Sequence, residues 1–479
     1  MSLDPLRRWE RRFGALPLPS PLAWAAMAAA FLGFGVLMGH ATGGAVGSLA
    51  SARAPVKVLV AQGATAGPTD TSTTPEATPP PAESEPTPEP STGTASEATN
   101  TTTSSTPSKT STSPSSASSG SGESSGGEGS SPQGGKLPAI KHVWVVVLSD
   151  EPYATAFGPA SPARYLTGTL EKQGELLVRY YAVAHAGLAD GVALLSGQGP
   201  TEATAANCPT YTDIAPTGRG ARQQALGQGC VYPSSTKTLM GELTAKHLTW
   251  KAYEEGMDEG GGGPGACAHP APGAADPSAT STSSYETWRD PFVYFQGITG
   301  SASCSSRDVG MKAMKGDLAS ETSTANFSYI APGPCDDGAP EACAAGKTGG
   351  MAAADSFLKN VVPNILASKA YKKDGLLAIT VDNAPTTGEY ADSSSCCGQP
   401  KFPNLPAPTG AAALSPPGGG QVGMLLLSPF IKKGGGLIQD TYNHFSFLAT
   451  VEQLFGLPKL GYAGLSEVKP LAASLFSGG

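Results

Sequence analysis

Polar side chains with oxygen ligands directly follow two apolar segments of this chain. Ser149, Asp150 and Glu151 come after HVWVVVL, and Asp382 and Asn383 stand at the end of the segment GLLAITVDN. Carboxylates that converge in space hold hard divalent cations such as Mg²⁺ or Ca²⁺. The alternative interpretation is that Asp150 and Asp382 cap turns or helices, as aspartate commonly does in loops.

Three continuous apolar runs predict the strands that must position these side chains: His142 to Leu148, Gly375 to Asp382, and Val422 to Pro429. Such runs are typical of strands buried on both faces of a parallel sheet, where ligands bind beyond the carboxyl ends of the strands. Helical patterns alternate with them, so we expect an α/β sandwich. The predicted helices span about 162–173, 237–246, 352–368 and 444–455.

The N-terminal third predicts a membrane anchor and a linker rather than a folded domain. Residues 21–49 contain no Asp, Glu, Lys or Arg and are long enough to cross a bilayer. The preceding segment 1–20 carries Arg7, Arg8, Arg11 and Arg12, which places it in the cytoplasm and the C-terminal part outside. The alternative is a cleaved signal peptide, because ASA at Ala50 to Ala52 resembles a cleavage site.

Residues 50–135 are dominated by Ser, Thr, Pro and Gly, and they predict a disordered stalk because few apolar groups offset the cost of ordering. We therefore expect one extracytoplasmic domain over residues 136–479. The net charge of −8 is spread along the chain without a basic stripe, which argues against nucleic-acid binding.

All eight cysteines lie beyond the stalk, and an even number in an exported domain predicts disulfides. The sequence does not select among the possible pairings. Cys335 and Cys343, which lie in one Gly- and Pro-containing loop, form the most plausible short bridge. A zinc site is less favoured, because no C-x-x-C pair recurs.

Four blocks, in order along the chain, carry a family resemblance: IKHVWVVVLSDEPYATAFG, NFSYIAPGPCDDG, GGMAAADSFLKNVVPNILASKAYKKDGLLAITVDNAP and YNHFSFLATVEQLFGLPKLGYA. They resemble the phosphoesterase family that includes bacterial phospholipases C and acid phosphatases, within the alkaline-phosphatase superfamily. The resemblance runs from about Ile140 to about Ala463. It implies an alkaline-phosphatase-like three-layer α/β sandwich with a mostly parallel central sheet and metal ions at the strand ends.

At the position of the family nucleophile this chain has a glycine. Family members carry Ser or Thr in a loop before a helix, and the segment AGLADGVALLSGQ places Gly187 there, with Asp190 at the following family Asn. Glycine has no side-chain oxygen that could attack phosphorus. Ser196 corresponds to an ordinary helical residue of the family, so it does not replace the nucleophile.

The family's metal ligands are also incomplete. Ser149, Asp150 and Glu151 stand where members read Glu-Asn-His, so the ligating Glu is lost while Asp150 remains able to coordinate. Gln421 replaces the His of a late Gly-His-Val-Pro. His444, in YNHFS, is interpreted as a structural residue that caps a helix.

Two further carboxylates keep part of the family pattern. Asp337 retains the first Asp of Asp-Gly-His-Asp, and Asp382 retains the first member of an acidic pair whose second member is now Asn383. Together with Asp150, these two aspartates predict at most a weak site for Mg²⁺ or Ca²⁺.

The sequence leaves three functional hypotheses. The first is a catalytically degenerate, membrane-anchored domain that binds a cell-envelope ligand or a protein partner. The second is an active metal-dependent phosphoesterase with a rearranged site, in which metal-activated water attacks directly. The third is a structural surface domain. The glycine at position 187 is the feature that separates the first from the second.

Overall fold

The computed structural model describes residues 137–258, 265–280, 283–340, 343, 347–409 and 417–476. The predicted cytoplasmic segment, membrane helix and stalk lie outside the described residues. Among the helices of the described part, none combines the length and apolar character that a bilayer crossing requires.

A mostly parallel sheet forms the centre of the described domain. The strands are β1 (His142–Leu148), β2 (Glu175–Leu177), β3 (Tyr180–Tyr181), β4 (Gly218–Arg219), β5 (Ala225–Leu226), β6 (Trp250–Glu254), β7 (Asp308–Gly310), β8 (Phe327–Ala331), β9 (Gly375–Val381), β10 (Met424–Leu427), β11 (Gly436–Ile438) and β12 (Tyr442–Asn443). Within the described residues, eight of them form one sheet in the order β11-β2-β10-β9-β1-β8-β6-β7. β1 lies between β8 and β9 and is parallel to both.

The α-helices of the described residues connect and cover this sheet. They are α1 (Tyr153–Ala156), α2 (Gly187–Ser196), α3 (Leu239–Ala245), α4 (Gln296–Thr299), α5 (Cys304–Arg307), α6 (Met314–Asp317), α7 (Met351–Ala367), α8 (Lys369–Asp374) and α9 (His444–Phe455). α2, α3 and α9 contact one another, and α7 contacts α8.

These two groups of helices cover opposite faces of the sheet. All seven residues of β1 are buried, as the continuous apolar run predicts. Trp144 packs against Tyr371 of α8, whereas Val147 lines a cavity with Gly187 of α2. Because side chains three positions apart on a strand point to opposite faces, the layers are helices, sheet and helices. The predicted α/β fold with a mostly parallel sheet is confirmed.

The third predicted strand runs in the opposite direction to the others. β10 is antiparallel to both of its neighbours, β9 and β2. The chain after β9 stays at the carboxyl end of that strand, where Ala384 N–H donates to Gly419 O at 2.8 Å. A strand that begins at this edge must run back through the sheet. Its apolar composition predicts its burial but not its direction.

The predicted helix at 162–173 is not an α-helix. A short π-helix covers Leu166–Leu170 and a 3₁₀ turn covers Glu171–Gln173. The backbone amide of Leu166 donates to the Asp355 carboxylate of α7 at 2.9 Å, so a distant side chain fixes where the turn begins. The other three predicted helices correspond to α3, α7 and α9 within two residues at each end.

Disulfide bonds join all eight cysteines, and the predicted Cys335–Cys343 bridge is confirmed. The other pairs are Cys208–Cys230, Cys267–Cys304 and Cys396–Cys397. Disulfides form and persist in oxidising compartments and are rare in the cytosol. The bridges therefore indicate an extracytoplasmic domain.

Candidate functional site

The carboxyl ends of the adjacent strands β1 and β9 bring four polar residues into contact. Ser149 Oγ donates to Asp382 Oδ2 at 2.9 Å, and the Asp150 amide donates to Asp382 Oδ1 at 2.9 Å. Asn383 Nδ2 donates to Asp150 Oδ1 at 2.9 Å. These side chains thus converge at the strand ends, as their positions in the sequence predict.

Asp150 is distinguished by its backbone conformation and Glu151 by its burial. Asp150 has φ +50°, a left-handed conformation that non-glycine residues adopt uncommonly and that Asp and Asn tolerate best. Glu151 is buried, and this burial raises its pKa to about 7, with smaller upward effects from Asp150 and Asp337. The Thr155 hydrogen bond acts in the opposite direction.

Asp337 lies in the loop after β8, the other neighbour of β1. Its carbonyl accepts a hydrogen bond from the Ser149 amide at 2.8 Å, and its Oδ1 accepts one from the Ala339 amide at 2.9 Å. Its Oδ2 forms an ion pair with Nη1 of Arg289. Asp337 therefore belongs to the same site, but its charge is directed towards an arginine.

Arg289 is the buried cation of this site. It ends a short 3₁₀ helix, Thr287–Arg289, and its Nε donates to Glu286 Oε2 at 2.9 Å. Its guanidinium lies 4.1 Å from the centre of the Trp288 ring, a cation–π contact. Burial opposes the charged form, but Asp337, Glu286 and Asp382 together raise the pKa of Arg289. We call Arg289, Glu286, Asp337 and Asp382 the arginine cluster.

The pKa values of two aspartates of this cluster, Asp337 and Asp382, lie well above the ordinary value. Burial raises the pKa of Asp337 to about 7 and that of Asp382 to about 6. Arg289 opposes both increases, and the Asp150 amide and the Ser149 hydroxyl also favour the ionised form of Asp382. These two carboxyl groups therefore gain and lose protons near neutral pH.

Gly187 begins α2 directly against the arginine cluster. A Cβ atom at this position would meet the ring of Trp288 and Oδ2 of Asp382. The cavity that Gly187 shares with Ser149, Trp288, Arg289 and Asp382 has a volume of about 10 Å³. That volume admits about one water molecule and no phosphate ester. The position at which the sequence predicts the family nucleophile is therefore closed by neighbouring side chains.

Asp190 and His444 have structural roles beneath this cavity. Asp190 is fully buried and its Oδ1 accepts hydrogen bonds from the Val183 and Ala184 amides at 2.8 and 3.2 Å. His444 Nε2 donates to the Asp382 carbonyl at 2.8 Å, and burial lowers the pKa of His444 to about 4, so the ring is neutral.

His444 is the first residue of α9, but the N-cap of this helix is the preceding residue, Asn443. Asn443 accepts a hydrogen bond from the Ser446 amide at 3.0 Å, and Ser446 Oγ accepts one from the Asn443 amide at 3.2 Å. This reciprocal pair is a capping box. The N-cap is thus Asn443, so the predicted capping role of His444 is wrong.

Gln421 and Ser196 are directed away from the strand-end aspartates. Gln421 Nε2 donates to the Val178 carbonyl at 2.6 Å, and the Gln421 amide donates to Asp392 Oδ2 at 2.8 Å. Ser196 Oγ donates to the Val192 carbonyl one turn earlier in α2, at 2.7 Å. These side chains fix the backbone and do not face the Gly187 cavity.

The strand-end residues do not fit the divalent cation that the sequence predicts at Asp150, Asp337 and Asp382. Both oxygens of Asp382 accept hydrogen bonds, and Oδ2 of Asp337 is already paired with the Arg289 guanidinium. A second cation beside a buried guanidinium would be repelled strongly where the dielectric constant is low. No chemical step through a metal follows from this arrangement.

Sequence reasoning missed Arg289 and Trp288, the residues that close the site. They lie in YETWRDPF, outside the four blocks that resemble the family. A lone arginine beside a tryptophan gives no indication of which carboxylate it will pair with. The available signal was indirect: buried aspartates that are ionised require a source of positive charge nearby.

Solved structures similar to this chain include a sulfatase, an alkaline phosphatase superfamily protein and a lipoteichoic acid synthase. A sulfatase from Pseudoalteromonas sp. is 14% identical over 70% of this chain and 72% of its own, with a TM-score of 0.38. An alkaline phosphatase superfamily protein from Vibrio parahaemolyticus is 11% identical, over 70% and 72%, with a TM-score of 0.39. The lipoteichoic acid synthase of Listeria monocytogenes is 11% identical, over 69% and 77%, with a TM-score of 0.39.

No curated protein matches this chain. The phosphoesterase family model, however, matches residues 138–458, which is more than half of the chain. That span contains β1, α2, β9 and α9, the elements that position the arginine cluster. The chain therefore belongs to the phosphoesterase family.

Proposed function

We propose that this chain is a non-hydrolytic, membrane-anchored phosphoesterase-family domain that binds a cell-envelope ligand or a protein partner outside the cytoplasm. The observation that carries this proposal is the closed site at Gly187. Neither a nucleophile nor a substrate has room there, because Trp288 and Asp382 occupy the space that a side chain would need.

The loss of activity follows from what phosphoryl transfer requires. The reaction needs an activated oxygen nucleophile and positive charge that stabilises the developing negative charge. Gly187 supplies no oxygen, and Arg289 is committed to Asp337 and Glu286. The positive charge of Arg289 is thus compensated by protein carboxylates and is not available to a phosphate group.

A separate groove supports the ligand-binding part of the proposal. It lies between residues 311–318 and α7, and has a volume of about 420 Å³. Its lining includes Met311, Met314 and Leu318 together with Lys315 and Asn364. This volume and this mixture of apolar and polar side chains are typical of small-molecule sites.

The disulfides support an extracytoplasmic position, and residues 21–49 carry the anchoring part of the proposal. Protease added to intact cells should cleave within residues 50–135 and release the folded domain, while the anchor remains in the membrane. A domain that stays uncleaved in intact cells and is cleaved only after lysis would contradict the proposed topology.

Turnover assays test the proposed loss of activity. Full-length protein purified in detergent should hydrolyse neither phosphomonoesters nor phosphodiesters above a mock preparation, with Mg²⁺, Mn²⁺, Ca²⁺ or Zn²⁺ supplied. Asp382→Asn is the matched variant, because it keeps the shape of the side chain. A metal-dependent rate in the wild type that disappears in Asp382→Asn would establish the active-phosphoesterase alternative.

Native mass spectrometry tests the ligand-binding part. Protein extracted from its own membranes should retain a bound species, and Asn364→Trp should lose it because the indole fills the groove. Leu437→Trp is the control, since Leu437 is an exposed apolar residue on β11. Loss in both variants or in neither would remove the groove from the proposal and favour a structural surface domain.

A further inference from the structure

A second group of buried carboxylates lies at the edge of the sheet, on the strands β6 and β7. Glu254 is the last residue of β6, Asp308 is the first residue of β7, and the two strands are parallel neighbours. Asp290 caps the 3₁₀ helix Pro291–Tyr294. One oxygen from each of the three carboxylates lies within 4.8 Å of the other two, and all three residues are fully or almost fully buried. We call Glu254, Asp290 and Asp308 the acidic cluster.

The acidic cluster has oxygens that the protein does not satisfy. Oε1 of Glu254 has no hydrogen-bond partner, and the oxygens of Asp308 have none of good geometry, although the Cys267 amide and the Asp290 carboxyl lie close enough to affect the pKa of Asp308. Asp290 is better satisfied, because its Oδ2 accepts from the Tyr285 hydroxyl at 3.1 Å and its Oδ1 accepts from the Phe292 amide at 3.2 Å. Buried carboxylate oxygens without partners are costly, so Oε1 of Glu254, together with the weakly bonded oxygens of Asp308, indicates a ligand.

The protein also supplies no side-chain cation in contact with these carboxylates. In the described residues, no Lys, Arg or His nitrogen lies within 4.0 Å of an oxygen of the acidic cluster. Burial, Asp290 and Asp308 raise the pKa of Glu254 well above its ordinary value, and Arg289 opposes this only weakly because its guanidinium pairs with Asp337 and Glu286. Three carboxylates without a contacting cation repel one another at low dielectric constant.

We propose that the acidic cluster is a structural Ca²⁺ site, with Glu254, Asp290 and Asp308 as its protein ligands. Calcium binds carboxylate oxygens at about 2.3–2.6 Å, so ligand atoms on opposite sides of the ion are separated by about 5 Å. The spacing within the acidic cluster suits this geometry. Mg²⁺ fits less well, because it keeps several waters, and this site is enclosed by protein.

Soft metals are disfavoured by the neighbouring cysteines. Cys267 and Cys304 lie close to Asp308, but they form a disulfide and therefore offer no thiolate. The bridge and the proposed ion would act on the same part of the fold. Calcium would hold the edge strand β7 to β6 and to the segment around Asp290, next to the covalent link. The proposed role is stabilisation of the sheet edge.

Metal analysis of full-length protein tests this proposal directly. Protein purified with calcium should contain about one Ca²⁺ per chain, and removal by a chelator should lower its melting temperature by roughly 5 °C at the calcium excess typical of such assays. Magnesium at the same concentration should give a smaller shift. Calcium-free protein whose melting temperature does not respond to added calcium would overturn the proposal, and the carboxylates would then share protons instead.

Variants locate the site. Asp308→Asn should abolish both the bound calcium and the thermal shift, and Glu254→Gln provides the same test should Asp308→Asn fail to fold. Asp317→Asn is the matched control, because Asp317 lies on α6 outside the acidic cluster, and it should retain both. Asp150→Asn should also retain both. A calcium shift that survives both cluster substitutions, or that is lost in Asp150→Asn, would place the ion elsewhere and overturn the assignment.

Discussion

The arginine cluster and the acidic cluster lie on either side of a single peptide bond, between Arg289 and Asp290. Both contain buried carboxylates at strand ends or strand starts of one sheet. The arginine cluster contains its own permanent cation, whereas the acidic cluster has none in contact within the described residues. The difference separates a carboxylate site that holds its own guanidinium from one whose positive charge would have to come from a bound ion.

The two clusters therefore differ in how they respond to their surroundings. A guanidinium is charged at every accessible pH and cannot be removed by a chelator. An exchangeable ion depends on its concentration and can be removed. Stability contributed by the arginine cluster should thus be insensitive to divalent metal, while stability contributed by the acidic cluster should depend on calcium.

Replacing Arg289 should have the largest effect on stability. Arg289→Met keeps the volume but leaves Asp337 and Asp382 without their buried cation, which should cost about 3–5 kcal/mol of unfolding free energy. Urea unfolding of the full-length protein measures this loss. Arg219→Met is the control, because Arg219 is exposed and should change stability by less than about 0.5 kcal/mol. Equal effects of both substitutions would show that the ion pair is not a major contributor.

The pH dependence should be the next largest effect. The pKa values of Asp337 and Asp382 in the fold, about 7 and about 6, exceed the ordinary value of 3.8. The folded protein therefore binds more protons than the unfolded chain between about pH 4 and 7, and stability falls as pH rises through this range. The loss between pH 5 and pH 8 should be on the order of 4 kcal/mol, because the two pKa values lie about 2 units and about 1 unit above pH 5, at about 1.4 kcal/mol per unit.

Urea unfolding at pH 5 and pH 8, with calcium absent, measures this difference. Asp337→Asn should reduce the slope, since the amide does not titrate. Stability that rises with pH over this interval would contradict the assigned direction, and it would indicate that the ionised aspartates are better compensated than the arginine cluster suggests.

Restoring a serine at position 187 should cost about 1–3 kcal/mol, because the new side chain must displace Trp288 or Asp382. It should create no phosphatase activity, since neither a metal nor a base is placed to activate the hydroxyl. Gly168→Ser is a matched control, because a Cβ at Gly168 meets no atom within 4 Å. A phosphorylated serine and rapid turnover in Gly187→Ser would show that the site is more open than described.

The smallest effect is expected at Asp150. Asp150→Asn should change stability by less than about 1 kcal/mol, because Asn also tolerates the left-handed backbone and Asp150 is only partly buried. Asp150→Val should cost more, since a β-branched residue is strained at this φ. Equal melting temperatures for the two variants would show that the conformation at Asp150 is not constrained.

Much of the fold follows from local sequence patterns. The continuous apolar runs predict β1 and β9 because both strands are buried on both faces, and the meeting of Asp150 with Asp382 follows from parallel strands ending at one edge. The direction of β10 does not follow, because composition reports burial and not orientation. The π-helix at Leu166–Leu170 depends on Asp355, which is far away in the sequence.

The closing of the site could not be predicted in the same way. Gly187 predicts the loss of the nucleophile, but the ion pair between Arg289 and Asp337 joins residues whose neighbours in sequence carry no complementary pattern. The acidic cluster likewise assembles Glu254, Asp290 and Asp308 from separate elements. Such clusters are determined by tertiary packing, which local periodicity does not report.

One measurement tests the contrast between the two clusters directly: anomalous diffraction from crystals of the protein soaked with Mn²⁺, which binds the same oxygen ligands as Mg²⁺ and Ca²⁺. We expect an anomalous peak among Glu254, Asp290 and Asp308, and none among Asp150, Asp337 and Asp382, with Arg289 still paired to Asp337. A peak at the strand-end aspartates with Arg289 displaced would contradict it, and would show that the phosphoesterase metal site survives in this chain.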